Sequence, residues 1–134
     1  MLKISTKSQY GLRAIVYLAT SKEKINPLRV ISKKEGISFD YLEKILSKLE
    51  KTGLVKAKKG VLGGYFLAKS PKKIKIAEIL KALEGSTFLV KCIGSDKKFH
   101  CARARKCLTK NLWKKIQDSI NSTLKSVTLA DLIK

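Results

Sequence analysis

Apolar and polar positions along this chain alternate with a helical period through its first half. Between residues 6 and 21, Tyr10, Ala14, Tyr17 and Leu18 recur at helical spacing, and Ser5 or Thr6 is placed to cap the segment. Pro27 opens a second helix, LRVISKKE, which Gly36 ends; Ser38 caps a third, FDYLEKILSKLEKT, which Gly53 ends. Helix, glycine turn, helix is the order of a helix-turn-helix unit. In the third helix Tyr41, Leu42, Ile45, Leu46 and Leu49 make the apolar stripe, leaving Asp40, Glu43, Lys44, Ser47, Lys48 and Lys51 on the outer face.

After Gly53 the period shortens. LVKA and YFLA read as strands, joined by the glycine-rich KKGVLGG, the pattern of a two-stranded wing. A fourth helix spans about Ile76 to Glu84, with Ile79, Leu80 and Leu83 inward and Gly85 at its end. A long helix follows from about Leu108 to Ser126, where Leu108, Leu112, Ile116, Ile120 and Leu124 repeat every four residues, and Thr128 caps a last turn, LADLI. The expected fold is mainly α with a small β-wing: a winged helix-turn-helix domain over 1–85, a cysteine-containing segment over 86–107, and a dimerisation helix with a terminal turn over 108–134. A long helix after a compact domain has little core of its own left to cover, so its stripe is expected to face a second copy; folding back on its own domain is the alternative.

Charge narrows the function. Thirty Lys and Arg stand against 10 Asp and Glu, a formal charge of +20, which points to a polyanionic partner. The apolar run from Leu12 to Ala19 is broken by Arg13, is too short to span a bilayer and has no cleavage site after it, so the expected location is the cytoplasm, with no membrane partner. On a winged fold, double-stranded DNA is the expected partner, with the third helix in the major groove. The candidate DNA residues are Ser38, Tyr41, Lys44 and Lys48 on that helix, and Lys58, Lys59, Gly60, Gly63 and Gly64 on the wing. Lys59 would enter the adjacent minor groove, and the glycines would let the backbone approach, unless they serve only to close the hairpin. A two-fold dimer would read a pseudo-palindrome with half-site centres about 34 to 36 Å apart, or a multiple of that. A basic RNA-associated structural protein is a remote alternative. No nucleophile and base stand at recognisable spacing and no nucleotide loop is present, so neither an enzyme nor a small-molecule substrate is expected.

The chemistry is concentrated in KCIGSDKKFHCARARKC, residues 91–107, which holds all three cysteines and the single histidine. An odd cysteine count in a reducing compartment argues against a structural disulfide and for metal or redox chemistry. On residue chemistry alone, zinc held by Cys92, His100, Cys101 and Cys107 leads. Lys91, Lys97, Lys98, Arg103, Arg105 and Lys106 surround the sulfurs with charge that favours thiolates, although a solvated basic loop has the same composition.

Four stretches taken in order, STKSQYGLRA, GISFDYLEKILSKLEKTGLV, KGVLGGY and KCLTKNLWKKI, resemble the winged-helix regulators typified by IscR, NsrR and CymR. The resemblance runs from end to end and implies a homodimeric transcription regulator, a repressor or an activator. It also implies that Cys92, Cys101 and Cys107 bind an iron-sulfur cluster, [2Fe-2S] before [4Fe-4S], with a cluster-free thiol or zinc switch as the alternative. Two departures stand out. The wing commonly reads Arg-Gly-x-Gly-Gly-Gly-Tyr, whereas Lys59 and Leu62 replace the arginine and one glycine here, turning a planar bidentate contact into a point charge. Where IscR-like members carry a histidine three residues after the last cysteine, this chain has Lys110, whose protonated amine has no lone pair. NsrR-like members take a carboxylate from the start of the first helix, where Ser8 and Gln9 stand instead. His100, an exogenous ligand or a partner side chain are left as fourth ligands.

Overall fold

The computed structural model describes residues 3–94 and 101–134. Six α-helices and a two-stranded antiparallel sheet are found there: α1 (Thr6–Thr20), α2 (Leu28–Glu35), α3 (Phe39–Lys51), β1 (Val55–Lys58), β2 (Gly64–Leu67), α4 (Ile76–Glu84), α5 (Lys110–Ser126) and α6 (Leu129–Leu132). The expected caps are in place. Ser5 Oγ accepts from Ser8 N–H at 3.1 Å, Ser38 Oγ accepts from Tyr41 N–H at 3.3 Å, and Thr128 exchanges bonds with Asp131. Gly36 ends α2 in the left-handed region at φ 66°, where a side chain would be strained.

The core joins Ile15 and Leu18 of α1, Ile31 of α2, Leu42, Ile45, Leu46 and Leu49 of α3, Val55 of β1 and Ile79 and Leu83 of α4, all buried. On α1 the buried face differs from the expected one: Gly11, Ala14, Ile15 and Leu18 face inward, while Tyr10 and Tyr17 are half-buried at its edge. The reason is close helix packing. A Cβ on Gly11 would lie 2.3 Å from Leu83 Cδ1, so the missing side chain lets α4 lean onto α1 and turns that strip inward.

The wing pairs Val55 with Leu67 through Lys58 with Gly64. A third chain segment supports it, since Asn26 forms an antiparallel bridge with Tyr65, its N–H donating to Tyr65 O at 3.0 Å and its O accepting from Tyr65 N–H at 2.8 Å. The buried Asn26 side chain also donates to Tyr65 O at 3.2 Å, so no polar side chain is left unsatisfied there.

The long helix starts two residues later than the periodicity suggests. Leu108 lies before it, 95% exposed, because the helical ladder begins at Thr109, whose O accepts from Trp113 N–H at 3.2 Å. The apolar stripe divides along α5: Leu112 is exposed, Ile116 and Ile120 are half-buried, and Leu124 packs against the core. The chain after α5 returns fully to the domain. Leu129 is wholly buried, its N–H donates to Ile74 O at 2.8 Å, and Ile76 N–H donates to Val127 O at 3.0 Å.

Candidate nucleic-acid interface and thiol segment

The residues that follow the Gly36 turn sort onto three sides of α3, at 100° per residue. Leu42, Ile45, Leu46 and Leu49 take the inner side. Lys44 and Lys51 are exposed on the outward side, with Asp40. Glu43, Ser47 and Glu50 turn toward the wing, where they line one open groove of about 660 Å3 with Arg29, Phe39, Lys58, Lys59, Gly60, Gly63 and Gly64. Helix and wing therefore flank one concave surface, with the wing lysines on one wall and two carboxylates on the other. Sequence reasoning missed Arg29, which the fold brings to this groove from the start of α2.

Tyr41 and Lys48 lie on the remaining side, facing α1. The Tyr41 ring is half-buried and meets Tyr10 edge to face, centroids 5.7 Å apart at 87°. The Lys48 amine is held below the ordinary lysine range by the Lys7 side chain beside it, a second cationic donor that disfavours its charged form. Glu84 stands beside both and is held below its usual range by hydrogen bonds from the Ser5 and Ser8 hydroxyls. The fold thus puts an acid against Ser8 at the start of α1, where the local sequence has none.

Two of the wing glycines have a packing role of their own. A Cβ on Gly63 would stand 2.1 Å from Lys58 O, and one on Gly64 2.4 Å from the Asn26 carbonyl, both rigid backbone. Gly60 differs: it takes φ 107° in open space at the tip. Beside it Val61 is 95% exposed and Leu62 85%, an apolar pair at the end of a basic hairpin.

All three cysteines are free. Cys92 sits half-buried in a 3-10 turn over Lys91–Ile93 that packs against α5, Cys101 is exposed, and Cys107 is half-buried just before α5. The Cys107 thiol is held below its usual range, chiefly by Thr109, whose Oγ1 lies 3.3 Å from Sγ. Thr109 begins α5 with a helical backbone, φ −92° and ψ −13°, and makes no side-chain cap. Among the described residues no three metal-binding side chains converge, and His100 lies outside them. Lys110 is the first residue of α5, and its charge also favours the Cys107 thiolate.

A helix-turn-helix, a glycine wing and a trailing thiol segment occur here in one order across the whole chain. The family described as Rrf2, iron-dependent transcriptional regulator, matches residues 4–134. The chain belongs to the Rrf2 family. Among Rrf2 proteins it is similar to the HTH-type transcriptional regulator IscR of Xenorhabdus nematophila, 35% identical over 134 residues, which is 99% of this chain and 80% of that one. The solved structure of CymR, the global cysteine regulator of B. subtilis, superposes with a TM-score of 0.78 at 36% identity over 99% of this chain and 97% of that chain. IscR of T. potens gives 0.76 at 36% identity over 98% and 86%, and an oxidized form of Staphylococcus aureus CymR gives 0.77 at 28% over 99% and 97%. This Rrf2 chain is a winged-helix transcription regulator and not an enzyme. No helix among its described residues is long and apolar enough to cross a membrane.

Proposed function

We propose that this Rrf2 regulator binds a pseudo-palindromic operator as a homodimer and that an iron-sulfur cluster on Cys92, Cys101 and Cys107 controls that binding. One observation carries the reading: every cysteine of the chain is a free thiol on the single segment that joins the winged domain to α5. The donors fit the group in kind, since thiolates are what such clusters require and Cys107 is already biased toward one. The family's iron-dependent description supports the same reading. When bound, the cluster would supply sensitivity to iron supply and oxidation, and [2Fe-2S] comes before [4Fe-4S]. His100, next to Cys101, is the proposed fourth ligand in place of the histidine that Lys110 replaces.

The DNA surface is assigned by charge and position. Lys44 and Lys48, joined by Lys7, would meet backbone phosphates, and a phosphate between Lys7 and Lys48 would relieve their repulsion. Ser38 presents the start of α3, Tyr41 supports that helix through Tyr10, and Lys58 and Lys59 reach the neighbouring groove with Gly60 at the tip. Gly63 and Gly64 hold the hairpin in place. Lys59→Ala is expected to weaken operator binding and flatten the plot of log affinity against log salt by about one unit. Anisotropy titrations across a salt series read this directly, and an unchanged slope removes Lys59 from the interface.

The exposed Leu112 and half-buried Ile116 support a second copy against the first half of α5. Sedimentation equilibrium showing only monomer at micromolar concentration would remove the dimer. The second reading keeps the DNA surface and makes the thiols a redox or zinc switch. It is favoured by the likeness to a CymR that exists in an oxidized form, and by the depressed Cys107 thiol, which would react readily. Anaerobic preparation separates the two. Visible absorption with matching iron and acid-labile sulfide supports the cluster, and a colourless zinc-loaded chain sinks it.

A further inference from the structure

Gln117 is the one buried residue of α5, 3% exposed, and it is polar. A helix that docks only for stability does so through its apolar stripe, yet here the deepest side chain is an amide. Its Oε1 accepts from Leu89 N–H at 2.7 Å, and its Nε2 donates to Thr87 O at 3.1 Å and to Asn121 Oδ1 at 3.0 Å. Two of these three bonds go to the main chain of the strip that leaves α4 and runs into the turn carrying Cys92. The third stays within α5. Main-chain partners make the contact a fixed read-out of where that strip lies, whatever side chains it carries, because a planar amide meets both groups only in one relative placement.

Phe88 and Leu89 add an apolar contact to the same joint: with Leu80, Ile120 and Leu124 they line a hollow between α4 and α5. The hollow alone would tolerate sliding, since apolar packing is not directional. The amide removes that freedom.

We propose that Gln117 is a positioning residue that couples the cysteine segment to α5, so that a change at Cys92 shifts α5 and, through it, the spacing of the two DNA-reading helices. The coupling to DNA rests on the reading given under Proposed function; the joint itself does not. Its loss would leave the thiols able to load and the winged domain able to bind DNA, with the two no longer connected.

The test compares the whole chain with Gln117→Ala, with Gln117→Glu, which keeps an acceptor for Leu89 N–H but has no donor for Thr87 O, and with Asn121→Ala, which removes only the bond inside α5. Metal-free protein is measured first. Gln117→Ala is expected to speed amide exchange at Leu89 and alkylation of Cys92 about tenfold or more, Gln117→Glu less, and Asn121→Ala little. Unchanged exchange and alkylation in Gln117→Ala overturn the joint, with no reference to metal. Each protein is then loaded with iron and sulfide, and operator affinity is taken with and without the load. Wild type and Asn121→Ala are expected to show a loaded-to-unloaded ratio in the usual allosteric range of about 5 to 150, and Gln117→Ala a ratio near one at equal iron content. A Gln117→Ala ratio equal to that of wild type overturns the coupling. Failure of wild type to take up iron overturns the cluster reading instead, and the metal-free measurements still decide the joint.

Discussion

Gly64→Ala is expected to destabilise the folded chain by about 2 to 4 kcal/mol and to cost it operator binding, a large share of the roughly 5 to 15 kcal/mol that holds a domain of this size. The added methyl would stand 2.4 Å from both the carbonyl carbon and oxygen of Asn26 and 2.7 Å from Pro27 N. None of these atoms can turn aside as a side-chain end can. To make room, β2 must leave the segment before α2, and the two main-chain bonds between Asn26 and Tyr65 at 3.0 and 2.8 Å go with it, as does the Asn26 side-chain bond to Tyr65 O at 3.2 Å. The wing then loses the anchor that sets its angle to α3. Urea denaturation gives the stability change, and Gly60→Ala is the comparison. Gly60 has open space at φ 107°, so its substitution carries a local backbone cost of about 1 to 2 kcal/mol and no clash with a neighbouring segment. Equal losses for the two variants would show that the wing does not rest on Asn26.

Serine in place of any one of Cys92, Cys101 or Cys107 is expected to lower iron and sulfide together by about tenfold or more, since even residues that only support a ligand cost 10- to 100-fold in metal affinity. Stability should hardly move in the metal-free state, by about 0.5 kcal/mol or less, because none of the three thiols belongs to the buried core. Serine keeps the size of the side chain but does not ionise near neutral pH, so the loss isolates thiolate chemistry from packing. Iron, sulfide and urea midpoints on the three variants check both halves. Full iron retention in any one of them takes that cysteine out of the ligand set. Chains with no iron, in which serine at Cys107 abolishes an oxidant's effect on DNA binding, point to the thiol switch.

The two experiments probe different parts of one arrangement. Helix α3 and the wing form one surface because β1 packs directly on α3, while Asn26 ties β2 to the segment before α2, which itself packs on α3. Among the described residues the thiol segment packs on α5, α5 packs on α4, and α4 packs on α3. Glu84 lies at the meeting point of α1, α3 and α4, bonded to Ser5 and Ser8 beside Lys7 and Lys48, and so links the end of α4 to the flank of α3.

The elements themselves were legible in the residue order, because what defines them is local. Ser5, Ser38 and Thr128 each cap within three residues, Gly36, Gly53 and Gly85 each turn the chain at positive φ, and the spacing of Leu42, Ile45, Leu46 and Leu49 alone marks the inner face of α3. The cysteine cluster in sequence was equally plain, as was the family. Tertiary structure alone decided the rest, since those contacts join residues distant along the chain and leave no period in it. Gly11 turns the buried face of α1 by admitting Leu83, Asn26 bridges to Tyr65 39 residues on, Lys48 meets Lys7, and Leu129 returns to the core against Ile74. Gln117 is the plainest case. In sequence it is one polar residue beside an apolar stripe, and only the approach of Leu89, 28 residues earlier, makes it the deepest side chain of its helix.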